Sequence, residues 1–312
     1  MKPEITIIAP IYNEEDCLHE LYTRISEVMD SANKNWELVL VNDGSKDRSH
    51  EIIKELAIKD QRVRPVIFAK NFGHQIAVTA GMDYSRGDAV VVIDADLQDP
   101  PEVILELIEK WQEGYQVVYA VRSEREGETF FKKVTASLFY RLILKITNID
   151  IPLDTGDFRL LDRQIVDVMN NMRERHRFLR GMSSWVGFKQ TGVEYKRVAR
   201  FAGETKYPLK KMISFALTAI TSFSYFPLQL ATYIGFIAAG LSIISIPVVA
   251  ILRVIGEQAF FGQATTLIAV LFLGGVQLIS LGILGEYIGR LYDEVKGRPL
   301  YVVSDAPDID EV

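Results

Sequence analysis

A single cysteine, Cys17, among 312 residues excludes an intrachain disulfide and a cysteine-based zinc site. Histidine is nearly as scarce. His19, His50, His74 and His176 are scattered and show no metal-ligand spacing. Any metal is therefore expected on oxygen ligands, which favours Mg²⁺ or Mn²⁺. Excess positive charge is missing too: the formal net charge is −6, which does not suggest a nucleic-acid partner. The opening Met1-Lys2-Pro3-Glu4 runs straight into an apolar strand, without the regions of a signal peptide, so none is expected.

Charge is absent from two stretches near the C-terminus. Leu230 to Leu252 and Thr265 to Gly285 contain none. As helices they would be ~31–35 Å long at ~1.5 Å per residue, enough to cross a hydrocarbon core of ~30 Å. The connecting loop, Arg253 to Ala264, holds one basic residue, whereas Lys206, Lys210 and Lys211 precede the pair and Arg290, Lys296 and Arg298 follow it. The positive-inside rule then puts both flanks, both termini and the large N-terminal part in the cytoplasm, as a multi-pass protein of the cytoplasmic membrane. Gly235, Gly240, Gly274, Gly275, Gly282 and Gly285 suggest close helix–helix packing and a homo-oligomer, a dimer or tetramer. The expected layout is a soluble domain over 1–207, an amphipathic interfacial helix over 208–225, two transmembrane helices within 226–290 (about 230–252 and 265–286), and a tail over 291–312 whose acidic end, Ser304 to Val312, is disordered.

What is present in residues 1–207 is an alternation of strand and helix signals. Strands are expected at Ile5–Pro10, Glu37–Val41, Val63–Phe68, Val90–Ile93, Val117–Val121 and Val193–Val198. Helices are expected at 15–31, 49–59, about 74–85 and 101–114. Such an order means an α/β fold with a mostly parallel, doubly wound sheet. Polar residues at Tyr12, Asn13 and Glu14, at Asp43, at Lys70 and Asn71, and at Asp94 to Asp99 then fall on one edge, where open sheets bind ligands. In Val90-Val91-Val92-Ile93-Asp94-Ala95-Asp96-Leu97-Gln98-Asp99-Pro100, side chains two apart on a strand end share a direction. Asp94 and Asp96 are thus expected to converge, and a hard divalent cation would relieve their repulsion. Phe131 to Ile146 reads as an amphipathic helix. Phe131, Val134, Leu138, Leu142 and Ile146 share one face, and Lys132, Lys133, Arg141 and Lys145 lie elsewhere. Beside two membrane spans, a membrane-interface helix over about 131–147 is favoured over a core-facing one.

Pro10-Ile11-Tyr12-Asn13-Glu14, Val41-Asn42-Asp43-Gly44-Ser45, Asn71-Phe72-Gly73 and Asp94-Ala95-Asp96-Leu97-Gln98-Asp99-Pro100-Pro101 resemble the family 2 glycosyltransferases of GT-A fold. More narrowly they resemble the polyprenyl-phosphate glycosyltransferases related to dolichol-phosphate mannose synthase. With two membrane helices after the catalytic part, the chain is similar to the bactoprenol glucosyltransferases. The resemblance implies that Pro10, Tyr12, Asn13, Glu14, Asp43, Lys70, Asp94 and Asp96 bind the nucleotide-sugar, and that Asp94, Asp96 and Gln98 hold the metal against its diphosphate. It makes Asp157, in Asp154-Thr155-Gly156-Asp157-Phe158-Arg159-Leu160, the candidate base and Asp96 a further catalytic residue. The same segment on its own reads as a plain turn. Residues Arg177 to Gly181 and Trp185 are expected on a helix beneath it. Arg200-Phe201-Ala202-Gly203-Glu204-Thr205-Lys206 is similar to a family loop that gives basic contacts to phosphate, so Arg200, Lys206 and, at the end of a strand, Arg122 are expected near phosphate.

The reaction so implied is an inverting transfer of a sugar, glucose from UDP-glucose before mannose from GDP-mannose, to a polyprenyl phosphate at the cytoplasmic membrane face. A phosphate monoester with a second pKa of about 6 is mostly dianionic at pH 7 and needs little help from a base. Asp157 is therefore expected to orient rather than to take a proton. A processive polysaccharide synthase is disfavoured by the missing Gln-x-x-Arg-Trp motif. A sugar-lipid binding or flipping protein is disfavoured by sparse polar residues (Ser242, Ser245, Gln277, Ser280) in the spans.

Overall fold

A computed structural model describes residues 2–123, 155–198, 224, 226–255 and 263–307. Among these, eight strands form one sheet: β1 (Ile5–Ile11), β2 (Trp36–Asn42), β3 (Val63–Phe68), β4 (Ala89–Val92), β5 (Val117–Arg122), β6 (Thr155–Asp162), β7 (Gln190–Tyr195) and β8 (Val303–Asp305). Their spatial order is β7-β5-β6-β4-β1-β2-β3-β8. β1, β2, β3 and β4 are mutually parallel, with Ile8 opposite both Val39 and Val92. β1, β2 and β4 are buried at every residue, which is why they read as continuous apolar runs rather than alternations. The chain steps outward from β1 to β2 and β3, then returns to place β4 on the other side of β1. Strand order therefore reverses between β1 and β4, which opens a crevice at their carboxyl ends.

Helices α1 (Leu18–Ser31), α2 (Ser49–Lys59), α3 (His74–Asp83), α4 (Val103–Gln112), α5 (Arg163–Asn171) and α6 (Leu179–Trp185) cover the sheet. Ile5, Ile7, Leu38, Leu40, Val91 and Ile93 pack on one face against Leu21 and Ile25 of α1, Ile53 of α2 and Leu107 of α4. Ile8, Val39, Val41, Val90 and Val92 pack on the other face against Val78 of α3, Ile165 of α5 and Met182 of α6. The split follows from the period of two along a strand. In α1 the buried residues Leu18, Leu21, Ile25, Val28 and Met29 repeat at helical spacing.

Several sequence expectations need correction. α1 starts at Leu18, not at 15, and the strand expected over 193–198 is Gln190–Tyr195. β4 ends at Val92, so Asp94 and Asp96 lie on a loop, and strand alternation does not set their directions. Thr155–Asp162 is not a turn but a central strand, antiparallel to both β4 and β5. Arg177 precedes α6 instead of lying on it. Part of the acidic tail is ordered: Val303–Asp305 pairs antiparallel with β3. A bare edge at β3 would expose unpaired backbone groups, and β8 covers it. Ala69 donates its N–H to Val302 O at 2.9 Å, and the Tyr301 ring stacks on Phe68 at 5.1 Å.

Two further helices, α7 (Phe226–Ile255) and α8 (Gln263–Val295), are long and apolar enough to cross a membrane. Their large apolar side chains, among them Phe236, Ile237, Leu241, Leu271, Phe272 and Leu278, are exposed on the protein's own surface. A helix apolar all round suits a membrane better than water. The end of α8 meets the sheet domain: Glu294 accepts from Arg175 N at 2.7 Å, and Asp293 lies 3.6 Å from His176. The expected interfacial helices over 131–147 and 208–225, and the residues Arg200 and Lys206, lie outside the described residues, apart from Ser224 at the end of the second helix.

Candidate active site

The crevice is built from strand exits tied to one another. After β1, Tyr12 is partly exposed, and Asn13 takes a positive φ of 55°. Asn13 N donates to Ser45 Oγ at 3.1 Å, and its Oδ1 accepts from Lys46 N at 2.8 Å. Glu14 N donates to Ser49 Oγ at 3.1 Å. The exits of β1 and β2 are thereby locked together. Pro10 itself is buried inside β1, opposite Val41.

Asp43 follows β2 and is buried. Its carboxylate accepts from Asn71 Nδ2 at 2.9 Å, Phe72 N at 2.6 Å and Gly73 N at 3.0 Å. Burial pushes its pKa up, although the Phe72 and Gly73 amides oppose the rise. Asp43 thus spends its acceptors on shaping the turn after β3. Gly44 makes that approach feasible: with φ of +67°, a Cβ there would stand 2.5 Å from Asn71 N. Lys70 is exposed, with Nζ 5.1 Å from the Phe72 ring centroid.

After β4, Asp94 and Asp96 meet different partners. Asp96 is buried and folds its own loop, its Oδ1 accepting from Gln98 N at 3.1 Å while Leu97 takes a φ of 58°. Asp94 faces His74 at the start of α3, with Nε2 3.7 Å from its Oδ1. His74 Nε2 also lies 3.1 Å from Asp157 Oδ2 on β6. The other Asp157 oxygen accepts from Arg180 Nε of α6 at 2.8 Å, and Gln75 Nε2 reaches Oδ2 at 3.3 Å. Gln75 Oε1 in turn accepts from Leu179 N at 2.9 Å, holding the start of α6 to that of α3. Arg159, two residues on, is buried on the same face and donates to Gly156 O at 2.8 Å.

Electrostatics follow this geometry. Burial disfavours the Asp157 anion, but Arg180 and His74 outweigh it and hold the carboxyl well below the usual range. Burial pulls His74 down, yet Asp157 and Asp94 raise it to about 9, so the ring is an imidazolium at neutral pH. Asp94 goes the other way. Burial, with Asp99, Asp157 and Asp96 nearby, pushes its carboxyl up to about 6 against the pull of His74. Three carboxylates of the loop after β4 thus lie near Asp157 of β6, a negative field of the kind that a divalent cation would offset. Oxygen donors on Asp94, Asp96 and Gln98 suit a hard cation. Among the described residues no three His, Cys, Asp or Glu side chains form a metal cage, so such a cation would also need ligands from the substrate.

Of the residues anticipated from sequence, the structure connects Asp94 to Asp157 through His74 and sets Arg122, at the end of β5, beside Gly156. Asp43 braces the turn after β3, and one oxygen of Asp96 braces the loop after β4. His74 and Gln75 were not anticipated, whereas Arg180 falls in the Arg177–Gly181 stretch expected on a helix beneath the Asp157 segment. The only local hint for His74 and Gln75 was their place at the start of α3, next to the polar exit of β3.

The chain matches known proteins along most of its length. Residues 6–169 match Glycosyl transferase family 2, and residues 226–291 match the GtrB C-terminal hairpin. The chain is 55% identical over 307 residues to the uncharacterized glycosyltransferase YkcC of Bacillus subtilis, covering 98% of this chain and 95% of that one. It is 44% identical over 301 residues to a prophage bactoprenol glucosyl transferase homolog of Escherichia coli, covering 96% and 98%. It is also 44% identical over 301 residues to the bactoprenol glucosyl transferase of Shigella phage SfII, covering 96% and 97%.

Proposed function

The chain belongs to glycosyl transferase family 2 and is a glycosyltransferase, and from that premise we propose that it transfers a sugar from a nucleotide-sugar to the phosphate of a polyprenyl phosphate. Glucose from UDP-glucose is the preferred donor in this reading, and undecaprenyl phosphate the acceptor. The reaction takes place at the cytoplasmic face of a membrane held by α7 and α8. The observation that carries the reading is the Asp94–His74–Asp157–Arg180 chain of contacts at the β1/β4 crevice, in a chain that also bears an apolar hairpin. Relatives named for bactoprenol glucosylation support the acceptor class.

Asp94, Asp96 and Gln98 would hold Mg²⁺ or Mn²⁺, which when bound supplies Lewis-acid stabilisation to the departing diphosphate. The strand exits at Tyr12 to Glu14 and at Lys70 face the nucleotide. Asp157 is fixed by three donors and is too acidic to accept a proton readily. It therefore orients, rather than deprotonates, the incoming group, and its charge is balanced by Arg180 and His74. An acceptor phosphate that is dianionic at pH 7 attacks the anomeric carbon directly, inverting it. Small-residue faces on α7 and α8 support a homo-oligomer.

The test is transfer of radiolabelled sugar by the full-length protein in detergent, with UDP-glucose and GDP-mannose as separate donors and undecaprenyl phosphate as acceptor. Product from UDP-glucose alone supports the reading. Product from GDP-mannose alone replaces the donor, and no lipid-linked product from either refutes the acceptor.

A further inference from the structure

The proposed reaction brings two anionic groups, a diphosphate and a phosphate monoester, to a site already lined by carboxylates. One corner of it has the opposite sign. Asp99 is completely buried, and its Oδ1 accepts both the Tyr195 hydroxyl and Arg197 Nε, the latter at 3.2 Å. The same Tyr195 hydroxyl accepts from Arg122 Nε at 3.2 Å. Two guanidiniums are thus gripped by their Nε nitrogens around one carboxylate, for a net charge of +1. No hydrogen-bond partner for the Nη nitrogens of either arginine is found among the described residues.

The surroundings aim this pair at the crevice. Val198 N donates to Gln98 O at 3.0 Å, which joins the Arg197 segment to the Asp94–Asp99 loop. A Cβ at residue 156 would stand 2.6 Å from Arg122 Nη2, so the free end of that guanidinium lies over the backbone one residue before Asp157. Asp99 Oδ2 is buried without a hydrogen-bond partner. A residue kept in so unfavourable a place serves as a mount rather than as filling.

We propose that Arg197, together with Arg122, binds a substrate phosphate group through their Nη nitrogens, and that Asp99 and Tyr195 are positioning residues that hold both arginines by Nε. The inference rests on the proposed function and extends its phosphate contacts. A guanidinium fork matches phosphate geometry, and fixing it in advance lowers the ordering cost of binding. The phosphate belongs either to the donor's diphosphate or to the lipid acceptor; the chemistry is shared.

The test uses full-length protein in detergent micelles. Arg197→Gln raises KM for UDP-glucose or for undecaprenyl phosphate by about tenfold or more, with a smaller change in kcat. The substrate affected identifies the source of the phosphate. Calorimetric titration with UDP, undecaprenyl phosphate and phosphate-free undecaprenol gives the same ranking without turnover, so a failure of the transfer assay refutes the proposed function while binding still tests the arginine pair. Gly156→Ala displaces Arg122 Nη2 without touching Asp99 and shifts the same constant. Tyr195→Phe leaves both charges in place and also shifts it, by at least about threefold. If Arg197→Gln and Gly156→Ala leave both KM values and all binding constants within twofold, the phosphate-binding role is wrong. If Tyr195→Phe alone has no effect, the mount is wrong.

Discussion

Replacing Asp157 by Asn separates an orienting carboxylate from a catalytic base. In the structure the carboxylate meets Arg180 Nε at 2.8 Å, His74 Nε2 at 3.1 Å and Gln75 Nε2 at 3.3 Å. An amide of the same shape retains one acceptor oxygen and turns a donor toward the other partners. One charge-assisted bond is lost, worth about 1.5–3 kcal/mol, or roughly ten- to hundredfold in kcat/KM. Loss of a true general base costs about 10²–10⁴ in kcat itself. Steady-state kinetics with both substrates saturating distinguishes the two, because an orienting loss falls mainly on KM. The pH profile adds a second reading. The Asp157 pKa is depressed in the folded protein, so its ionised form is complete throughout pH 5–8 and contributes no rate change there. A rise in rate through about pH 6 then belongs to the acceptor phosphate and to Asp94, whose carboxyl is raised to about 6, and persists in the Asn variant. The same sign governs stability. The contribution of Asp157 is present above its unfolded value and fades only as pH falls below about 4, so the variant's deficit at pH 7 shrinks on strong acidification. A drop in kcat of about 10⁴ at saturation, with loss of the ascending limb, would refute the orienting role.

Three other outcomes are expected. Chelation with EDTA abolishes transfer, and Asp96→Ala raises the Mg²⁺ or Mn²⁺ concentration needed for half-maximal rate by at least about tenfold; full activity of that variant in EDTA removes the metal site. Gly81→Ala forces a Cβ to within 2.2 Å of Ile8 Cγ2 where α3 crosses β1, so it destabilises by about 1–3 kcal/mol, measured as a lowered urea midpoint or Tm. Tyr301→Ala removes the stack on Phe68 and the 2.7 Å bond to Asp83 Oδ2, so β8 frays and the 67–73 segment becomes sensitive to limited proteolysis. An unchanged cleavage pattern shows that β8 holds without it.

The strands β1 to β5 and the helices among them were legible because each carries its own periodicity. Val63–Phe68 and Ser49–Lys59 fall where expected, and other ends differ by up to three residues. The two apolar helices were legible for the same reason, since a long uncharged run has few other stable forms. β6 was harder to read. Thr155-Gly156-Asp157 looks like a turn locally and becomes a strand only because β4 and β5 stand on either side of it. β8 is three residues of acidic tail with no apolar alternation, and the open edge of β3 gives it its conformation.

Sequence alone determined the α/β class, the polar residues gathered at one sheet edge, the Asp94–Asp96 pair and the apolar hairpin, all consequences of local pattern. Tertiary structure decided the chemistry around them. His74 and Asp157 are 83 residues apart in the chain, and Tyr195 and Asp99 are 96 apart. Each pair meets only because β6 enters the sheet antiparallel beside β4 and β7 closes against β5. Periodicity tells a side chain which face to bury, whereas the partner it finds, and so the charge it carries, depends on strand order.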